Sequence, residues 1–174
     1  YGNIYILGVV NKPSNSGPGP NETTFLGNTL TILSSTGLHI RTVEIANSTD
    51  GNGFWSDTEN HRVHLATSNN GTSLINTGEK AYLVDFNGNK TTIINSPIKG
   101  EYSTHLRSAV FHNNHFYLQN GSNILKFNSE GVLQESISSG WDHTASNMSG
   151  DGIEFDVKDN LITVAYCNSK QGST

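Results

Sequence analysis

Apolar and polar side chains alternate through residues 108–137 in a pattern typical of two consecutive hairpins. The first hairpin turns at Asn113 and Asn114, and the second turns at residues 128–131. Four short strands in roughly thirty residues predict one small antiparallel sheet. Because such a sheet has two faces to cover, we expect copies of it to stack on one another.

Two features of this unit recur along the chain. An asparagine precedes each proposed copy of its second strand, at Asn3, Asn60, Asn114 and Asn160. A glycine closes each proposed copy of its second hairpin, at Gly37, Gly88 and Gly131. Tight hairpin turns close with a positive φ angle, which glycine adopts without strain.

With the strands of each unit labelled A to D, the pattern predicts thirteen strands. They are residues 3–9 (B), 29–34 (C), 38–45 (D), 54–58 (A), 61–67 (B), 80–86 (C), 90–95 (D), 107–112 (A), 115–119 (B), 123–127 (C), 132–138 (D), 153–157 (A) and 160–166 (B). The Pro-rich residues 11–28 are predicted as the longest connection, a lid, a contact surface or a disordered loop.

Four strands in every 45–55 residues or so resemble the blades of the β-propeller superfamily, over essentially the whole chain. The Trp-Asp, kelch and sialidase signatures are missing, so the resemblance is one of architecture. It implies an all-β propeller of four-stranded antiparallel blades, with about three blades present as a partial ring or a segment of a larger one. The repeats would be residues 1–58, 59–112 and 113–157, with 158–174 starting the next.

The chain starts and ends within a predicted blade, which favours an excised segment of a longer propeller. The remaining blades would come from the same chain or from another subunit. The competing fold is an immunoglobulin-like or jelly-roll sandwich, which short alternating strands also suit.

The composition of the chain argues against two kinds of partner, nucleic acid and the membrane interior. With ten Lys and Arg residues and a net charge of -5, the chain has no basic stripe for phosphates, so nucleic acid is not expected. No apolar run reaches the roughly twenty residues of a membrane-spanning helix, so membrane insertion is not expected. The single cysteine, Cys167, has no second cysteine in this sequence to pair with.

Six sequons indicate a secreted or extracellular glycoprotein, although a sequence this rich in Asn, Ser and Thr also produces sequons by chance. They lie at Asn21, Asn47, Asn70, Asn89, Asn120 and Asn147. On the predicted ring every one except Asn89 falls on the face that would hold a ligand. Glycans there would disfavour a substrate site and favour a structural or adhesive role.

That ligand face would gather the three D-to-A connections, residues 47–53, 96–106 and 139–152. In the last of them, Trp141 is followed by Asp142 and His143. An aromatic ring beside a carboxylate and an imidazole suits the stacking and hydrogen bonding of a sugar. Alternatively, the Trp caps the core and its neighbours hold the loop by bonds to the backbone.

A second candidate group comes from the preceding connection. Tyr102, His105 and Arg107 combine a general base with a cation that would neutralise a uronate carboxylate. Two loop carboxylates would instead suit glycoside hydrolysis. The residue types permit either chemistry without requiring it.

No metal or cofactor is expected. His61 and His64, three apart on a predicted strand, point to opposite sides of the sheet, and His112 and His115 are separated by a turn. Residues 85–89 resemble the start of a calcium loop but lack its later glycine and glutamate, which favours a plain hairpin turn.

Two functions follow from these features. The first is an extracellular, non-catalytic β-propeller module that binds a glycan or a protein partner or builds an extracellular assembly. The alternative is part of a polysaccharide-acting hydrolase or lyase with its site on the D-to-A face. Convergence of Asp142, His143, His105 and Arg107 on one cavity would favour the enzyme.

Overall fold

The structure, a computed structural model, describes residues 2–13, 23–47, 64–76, 80–95, 106–121, 123–138 and 148–167. These residues form thirteen β-strands. The strands are β1 Ile4–Pro13, β2 Thr23–Leu33, β3 His39–Asn47, β4 His64–Thr67, β5 Ser73–Asn76, β6 Lys80–Val84, β7 Lys90–Asn95, β8 Leu106–His112, β9 His115–Asn120, β10 Asn123–Asn128, β11 Leu133–Ser138, β12 Met148–Phe155 and β13 Leu161–Cys167.

The strands pair antiparallel with their neighbours in sequence, which gives four sheets. Sheet 1 is β1-β2-β3, sheet 2 is β4-β5-β6-β7, sheet 3 is β8-β9-β10-β11 and sheet 4 is β12-β13. The prediction of an all-β fold of small antiparallel sheets is therefore confirmed. Four sheets in succession also differ from the two packed sheets of an immunoglobulin-like sandwich.

Each sheet packs on the next one in chain order. We call the face that looks toward the following sheet the forward face and the opposite one the rear face. Three apolar clusters fill the interfaces. Between sheets 1 and 2 lie Leu30, Ile32, Ile45, Ile75, Tyr82 and Val84; between sheets 2 and 3 lie Ala66, Leu74, Ala81, Leu83, Leu106, Phe116, Leu118 and Phe127; between sheets 3 and 4 lie Tyr117, Ile124 and Ile153.

The interior sheets are buried on both faces because side chains alternate along each strand. In β9, Phe116 and Leu118 pack on the rear face while Tyr117 packs on the forward face. In β5, Leu74 faces forward and Ile75 faces the rear. Burying such side chains stabilises each interface by about 1.5–3 kcal/mol per residue.

Polar contacts add to the packing between sheets. The backbone N–H of Ile153 donates to Ser108 Oγ at 3.2 Å, which joins sheet 4 to sheet 3. Lys90 Nζ donates to the Ile45 carbonyl at 2.6 Å and lies 5.2 Å from the centroid of the Tyr82 ring. The first strands of sheets 2, 3 and 4 also contact one another in turn, β4 with β8 and β8 with β12.

Five turns of one design close hairpins in the described residues: 34–38, 68–72, 85–89, 128–132 and 156–160. In each five-residue turn, the backbone N–H of the first residue donates to the carbonyl of the fifth. The N–H of the fourth residue donates to the carbonyl of the first, and all these distances are 2.8–3.1 Å. The fourth residue has a φ between 64 and 87°, which explains glycine at four of these positions. The exception is Asp159, a residue type that tolerates this conformation.

One of these turns was missed in the sequence. The turns near Gly37, Gly88 and Gly131 and the turn before Asn160 are predicted there, whereas the turn that contains Gly71 is not. The shared pattern is a Ser, Asp or Asn followed three residues later by Gly or Asp.

One strand assignment is wrong. Residues 61–67 are predicted as the second strand of a blade, but β4 is the first strand of sheet 2 within the described residues, and the second is β5. The prediction misses β5 because all four of its residues are buried, so no apolar-polar alternation marks it. The predicted strand 54–58 and Asn60 lie outside the described residues.

The predicted connection 11–28 is shorter than expected. Strand β1 continues to Pro13 and β2 begins at Thr23, and these two residues pair with each other. A proline is tolerated at this strand end, where its missing N–H removes no interior ladder bond. Residues 14–22 lie outside the described part of the chain.

Candidate functional site

The two ends of the sheets differ in construction. At one, the turn end, two tight turns pack on the preceding sheet: a side chain at Gly131 would meet Ile93 of β7, and Asp159 binds His112 of β8. The opposite end, the connection end, receives the links between sheets and the links from β1 to β2, β5 to β6 and β9 to β10, because antiparallel strands reverse direction.

Buried carboxamides occur toward the connection end. Asn76 in β5 and Gln119 in β9 are both fully buried. Asn76 pairs with Ala81, and Gln119 pairs with Ile124. Ala81 and Ile124 each lie the same number of residues before the tight turn that follows them. The two amides are therefore equivalent positions in successive sheets, each on a forward face.

Asn28 is a third fully buried carboxamide. It lies two residues before Leu30 in β2, and it shares the forward face of sheet 1 with that side chain because side chains alternate. Leu30 is the sheet 1 counterpart of Ala81 and Ile124. Asn28 therefore lies two residues nearer to the connection end than the level of Asn76 and Gln119.

Two of these amides have no hydrogen-bond partner anywhere in the described residues. Both side-chain atoms of Gln119, Oε1 and Nε2, and both of Asn28, Oδ1 and Nδ2, are unpaired. An unpaired buried polar group costs about 1–3 kcal/mol. Such a cost in a folded protein calls for a reason other than packing.

The fold itself does not demand an amide at this level. Leu7 of sheet 1 and Val164 of sheet 4 occupy the strand position that Gln119 occupies in sheet 3, as the pairing of each with its neighbouring strand shows. An apolar side chain therefore fits the same backbone position. The amide of Gln119 is therefore a buried polar group that the strand register does not require.

A β-bulge stands opposite Gln119. The register of β8 against β9 shifts between Leu106 and Ala109, so that two backbone positions, 107 and 108, lie opposite this one residue. Bulges redirect side chains and are common beside functional sites. Sheet 4 has a similar irregularity in β12 at residues 150–152.

Of the site residues predicted from the sequence, only Arg107 lies within the described residues. Arg107 lies in β8 at the bulge, so its backbone is at the connection end, as the prediction requires. The others lie outside the described residues: Tyr102, His105, Trp141, Asp142 and His143. Gln119 and Asn28 were not predicted, because a single amide in a strand carries no sequence signal of burial.

The histidines near the turn end make structural contacts. His112 Nε2 lies 2.9 Å from Asp159 Oδ1, and the His112 ring stacks on Phe155 with centroids 4.0 Å apart. His115 Nδ1 lies 2.7 Å from the Asn113 carbonyl. Within the described ranges, no three His, Cys, Asp or Glu side chains gather as metal ligands.

The hairpin turn predicted at residues 85–89 is confirmed. The Asn89 side chain donates to Asp85 Oδ2 at 2.7 Å and its backbone N–H donates to Oδ1 at 2.8 Å. These bonds, the side-chain bond first, hold the pKa of the Asp85 carboxyl below its ordinary value. Asn160 does the same for Asp156 in sheet 4.

One sequon changes sides. Asn70 is predicted on the ligand face, but it lies in the turn between β4 and β5, at the same end as Asn89. The cause is the misassigned strand 61–67. Asn47 and Asn120 end β3 and β9 at the connection end, as predicted. Asn21 and Asn147 lie outside the described residues.

No helix in the described part of the chain is long and apolar enough to cross a bilayer. The sequence matches no protein-family model, and no curated protein matches it significantly.

The structure is similar to that of a protein of unknown function from Bacteroides caccae, at 13% identity and a TM-score of 0.48, covering 78% of this chain and 46% of the other. A luciferin-regenerating enzyme is similar at 13% identity and a TM-score of 0.46, covering 88% of this chain and 46% of the other. The chain thus spans just under half the length of each.

Proposed function

We propose that the four sheets are blades of a β-propeller and that the chain is a non-catalytic binding module. The support for the propeller is the packing of forward face on rear face in chain order, with the first strands β4, β8 and β12 in contact along one side. Blades arranged in this way fan around an axis beside their first strands.

The ligand site of the module is the connection end. Its principal residue is Gln119, with Asn28 as a second. The observation that carries the proposal is the unpaired state of these two fully buried amides. Each carboxamide offers two donors and an acceptor with two lone pairs, which matches hydroxyl and amide groups of a ligand.

A glycan or an exposed peptide segment has the matching chemistry. Sugar hydroxyls both donate and accept, and carboxamides pair with them without a charge on either partner. The predicted residues Trp141, Asp142 and His143 would complete such a site by stacking and hydrogen bonding. The proposal includes no cofactor and no metal.

An extracellular location is part of the proposal, and the sequons support it. With Asn70 and Asn89 both at the turn end, glycans on these two residues would leave the connection end accessible. This placement removes part of the conflict between glycosylation and ligand binding that the sequence suggests. The remaining partners would be further blades or another subunit.

The test is a glycan array followed by calorimetric titration of the bound sugars, with Gln119→Leu as the principal variant. Leucine imitates the apolar residues at this position in sheets 1 and 4. We expect at least tenfold weaker binding, because about 1–3 kcal/mol of hydrogen bonding to the ligand is lost. The matched control is Gln134→Leu, an exposed glutamine of β11, which should bind like the wild type.

A polysaccharide panel incubated with the same protein separates the module from an enzyme. Binding without any new reducing ends or unsaturated products supports the module. Turnover that disappears in His143→Ala would replace the module with the hydrolase or lyase. Equal binding by wild type and Gln119→Leu would remove the buried amide from the site.

A further inference from the structure

A second polar side chain, that of Ser108, lies beside Gln119 in the interface between sheets 3 and 4. Ser108 is 8% exposed, and its Oγ accepts a hydrogen bond from the backbone N–H of Ile153 in sheet 4, so it lies on the forward face of sheet 3. Gln119 is on the same face, because Tyr117 two residues earlier packs on sheet 4. Backbone positions 107 and 108 lie opposite Gln119, so Ser108 and Gln119 are neighbours across the β8-β9 pair.

The bulge in β8 is what places Ser108 on this face. Leu106 before the bulge and Ala109 after it both pack toward sheet 2. Strict alternation from Leu106 would put position 108 on the rear face as well, and the extra residue of the bulge reverses that. The bulge therefore brings a hydroxyl to the face that carries the buried amide of Gln119.

Both side chains have hydrogen-bonding capacity that the described residues do not use. Both amide atoms of Gln119 are unpaired, and the hydroxyl of Ser108 serves as the acceptor for Ile153. A hydroxyl is also a donor, and the proton of Ser108 has no acceptor in the described part of the chain. One carboxamide and one hydroxyl proton are thus left next to each other in a buried interface.

The buried polar side chains of the described residues are all uncharged. They are Asn28, Ser68, Ser73, Asn76, Ser108 and Gln119. Burying an ionised group without an opposite charge costs far more than burying a hydroxyl that finds a hydrogen-bond partner. This interface is therefore suited to a neutral polar group and not to an anion.

We infer that the site selects neutral sugars, with Ser108 and Gln119 as its specificity-determining residues. The inference rests on the proposed function, because it assigns a ligand class to the same site. A carboxamide accepts from one ring hydroxyl and donates to the next, and the Ser108 proton is a further donor to the same sugar. A uronate, sulfate or phosphate group would bring an unpaired charge into the interface.

The first experiment is calorimetric titration of the complete chain with matched pairs of sugars. Each pair is a methyl glycoside of glucose, galactose or mannose and the corresponding uronate, which differ at C6 alone. In the pair that binds most tightly, we expect the neutral member to bind at least tenfold better than the uronate.

The second experiment assigns the selectivity to Ser108. The monodeoxy analogues of the tightest-binding neutral glycoside are titrated into the wild type and Ser108→Ala. One analogue should bind the wild type about tenfold more weakly than its parent, and should bind Ser108→Ala as well as the parent does, because the hydrogen bond is already lost. Loss of the bond to Ile153 alone would not erase this difference between parent and analogue.

Two further variants serve as controls. Ser108→Thr keeps the hydroxyl and should restore the discrimination between the parent glycoside and its analogue. Ser136→Ala removes an exposed hydroxyl from β11 and should bind every sugar like the wild type.

Two results would overturn the inference and leave the proposed function standing. One is a uronate that binds as tightly as its neutral partner, which a pairing of its carboxylate with Arg107 would explain. The other is a Ser108→Ala protein that discriminates among the deoxy sugars as the wild type does. Binding of no sugar, in these titrations and on the glycan array, would overturn the inference together with the proposed glycan ligand.

Discussion

The turn end and the connection end of the sheets satisfy their polar groups in different ways. At the turn end, each turn is closed by its own backbone and by a side chain from the same five residues, such as Asn128 Oδ1 accepting from the Val132 N–H at 2.8 Å. Toward the connection end, Gln119 and Asn28 are buried without a hydrogen-bond partner among the described residues. One end satisfies its polar groups within each turn, and the other leaves two buried amides unpaired.

The largest expected effect is at the turn end. Gly131→Ala forces alanine into a φ of 80° and places a Cβ 2.9 Å from Ile93 Cγ2 and 3.2 Å from Leu83 Cδ2. We expect a loss of about 2–4 kcal/mol in the free energy of unfolding, measured by urea denaturation, from left-handed strain and overpacking together.

Gly37→Ala is the matched control for this variant. Its φ is 84°, but a Cβ there meets no described atom within 4 Å. Only the strain of about 1–2 kcal/mol remains. Equal losses in the two variants would mean that the contact of the Gly131 turn with sheet 2 adds nothing to stability.

A change of opposite sign is expected near the connection end. Gln119→Leu removes an unpaired buried amide and should raise the free energy of unfolding by about 1 kcal/mol in the absence of ligand. The exposed Gln134→Leu should change it by less than about 0.5 kcal/mol. A destabilised Gln119→Leu protein would show that this amide supports the fold, and the contrast between the two ends would fail.

The smallest effect concerns the turn carboxylates. Because the pKa of Asp85 is lowered, its contribution to stability is present above the ordinary value of 3.8 and is lost as pH falls through the lower folded value. Asn89→Ala removes the principal donor, so the pKa of Asp85 should move up toward 3.8. Carboxyl titration by NMR measures it, with Asp156 as the internal reference that should not move.

Local signals explain which parts of the fold the sequence could predict. Gly88 and Gly131 mark turns because the backbone there requires a positive φ, and the strands beside them were placed within a few residues. Strand β5 was not predicted, because a strand buried on both faces shows no alternation of apolar and polar residues. That single omission shifted β4 by one place in its sheet and moved Asn70 to the wrong end.

The candidate site was harder to foresee for a different reason. The sequence draws attention to charged and aromatic residues such as Trp141 and His143, whose chemistry is recognisable by type. Gln119 stands out only when its burial, its unpaired atoms and its counterparts Leu7 and Val164 are compared in three dimensions. Gln119 is informative because two of its structural equivalents, Leu7 and Val164, are apolar.

The apolar clusters that join only successive sheets also bear on how the molecule comes apart. Within the described part of the chain, sheets 2 and 3 each pack against two sheets, whereas sheets 1 and 4 each pack against one. In such a linear array, disruption spreads from a sheet to the one beside it. Among the described sheets, unravelling is therefore expected to start at sheet 1 or at sheet 4, which has only two described strands.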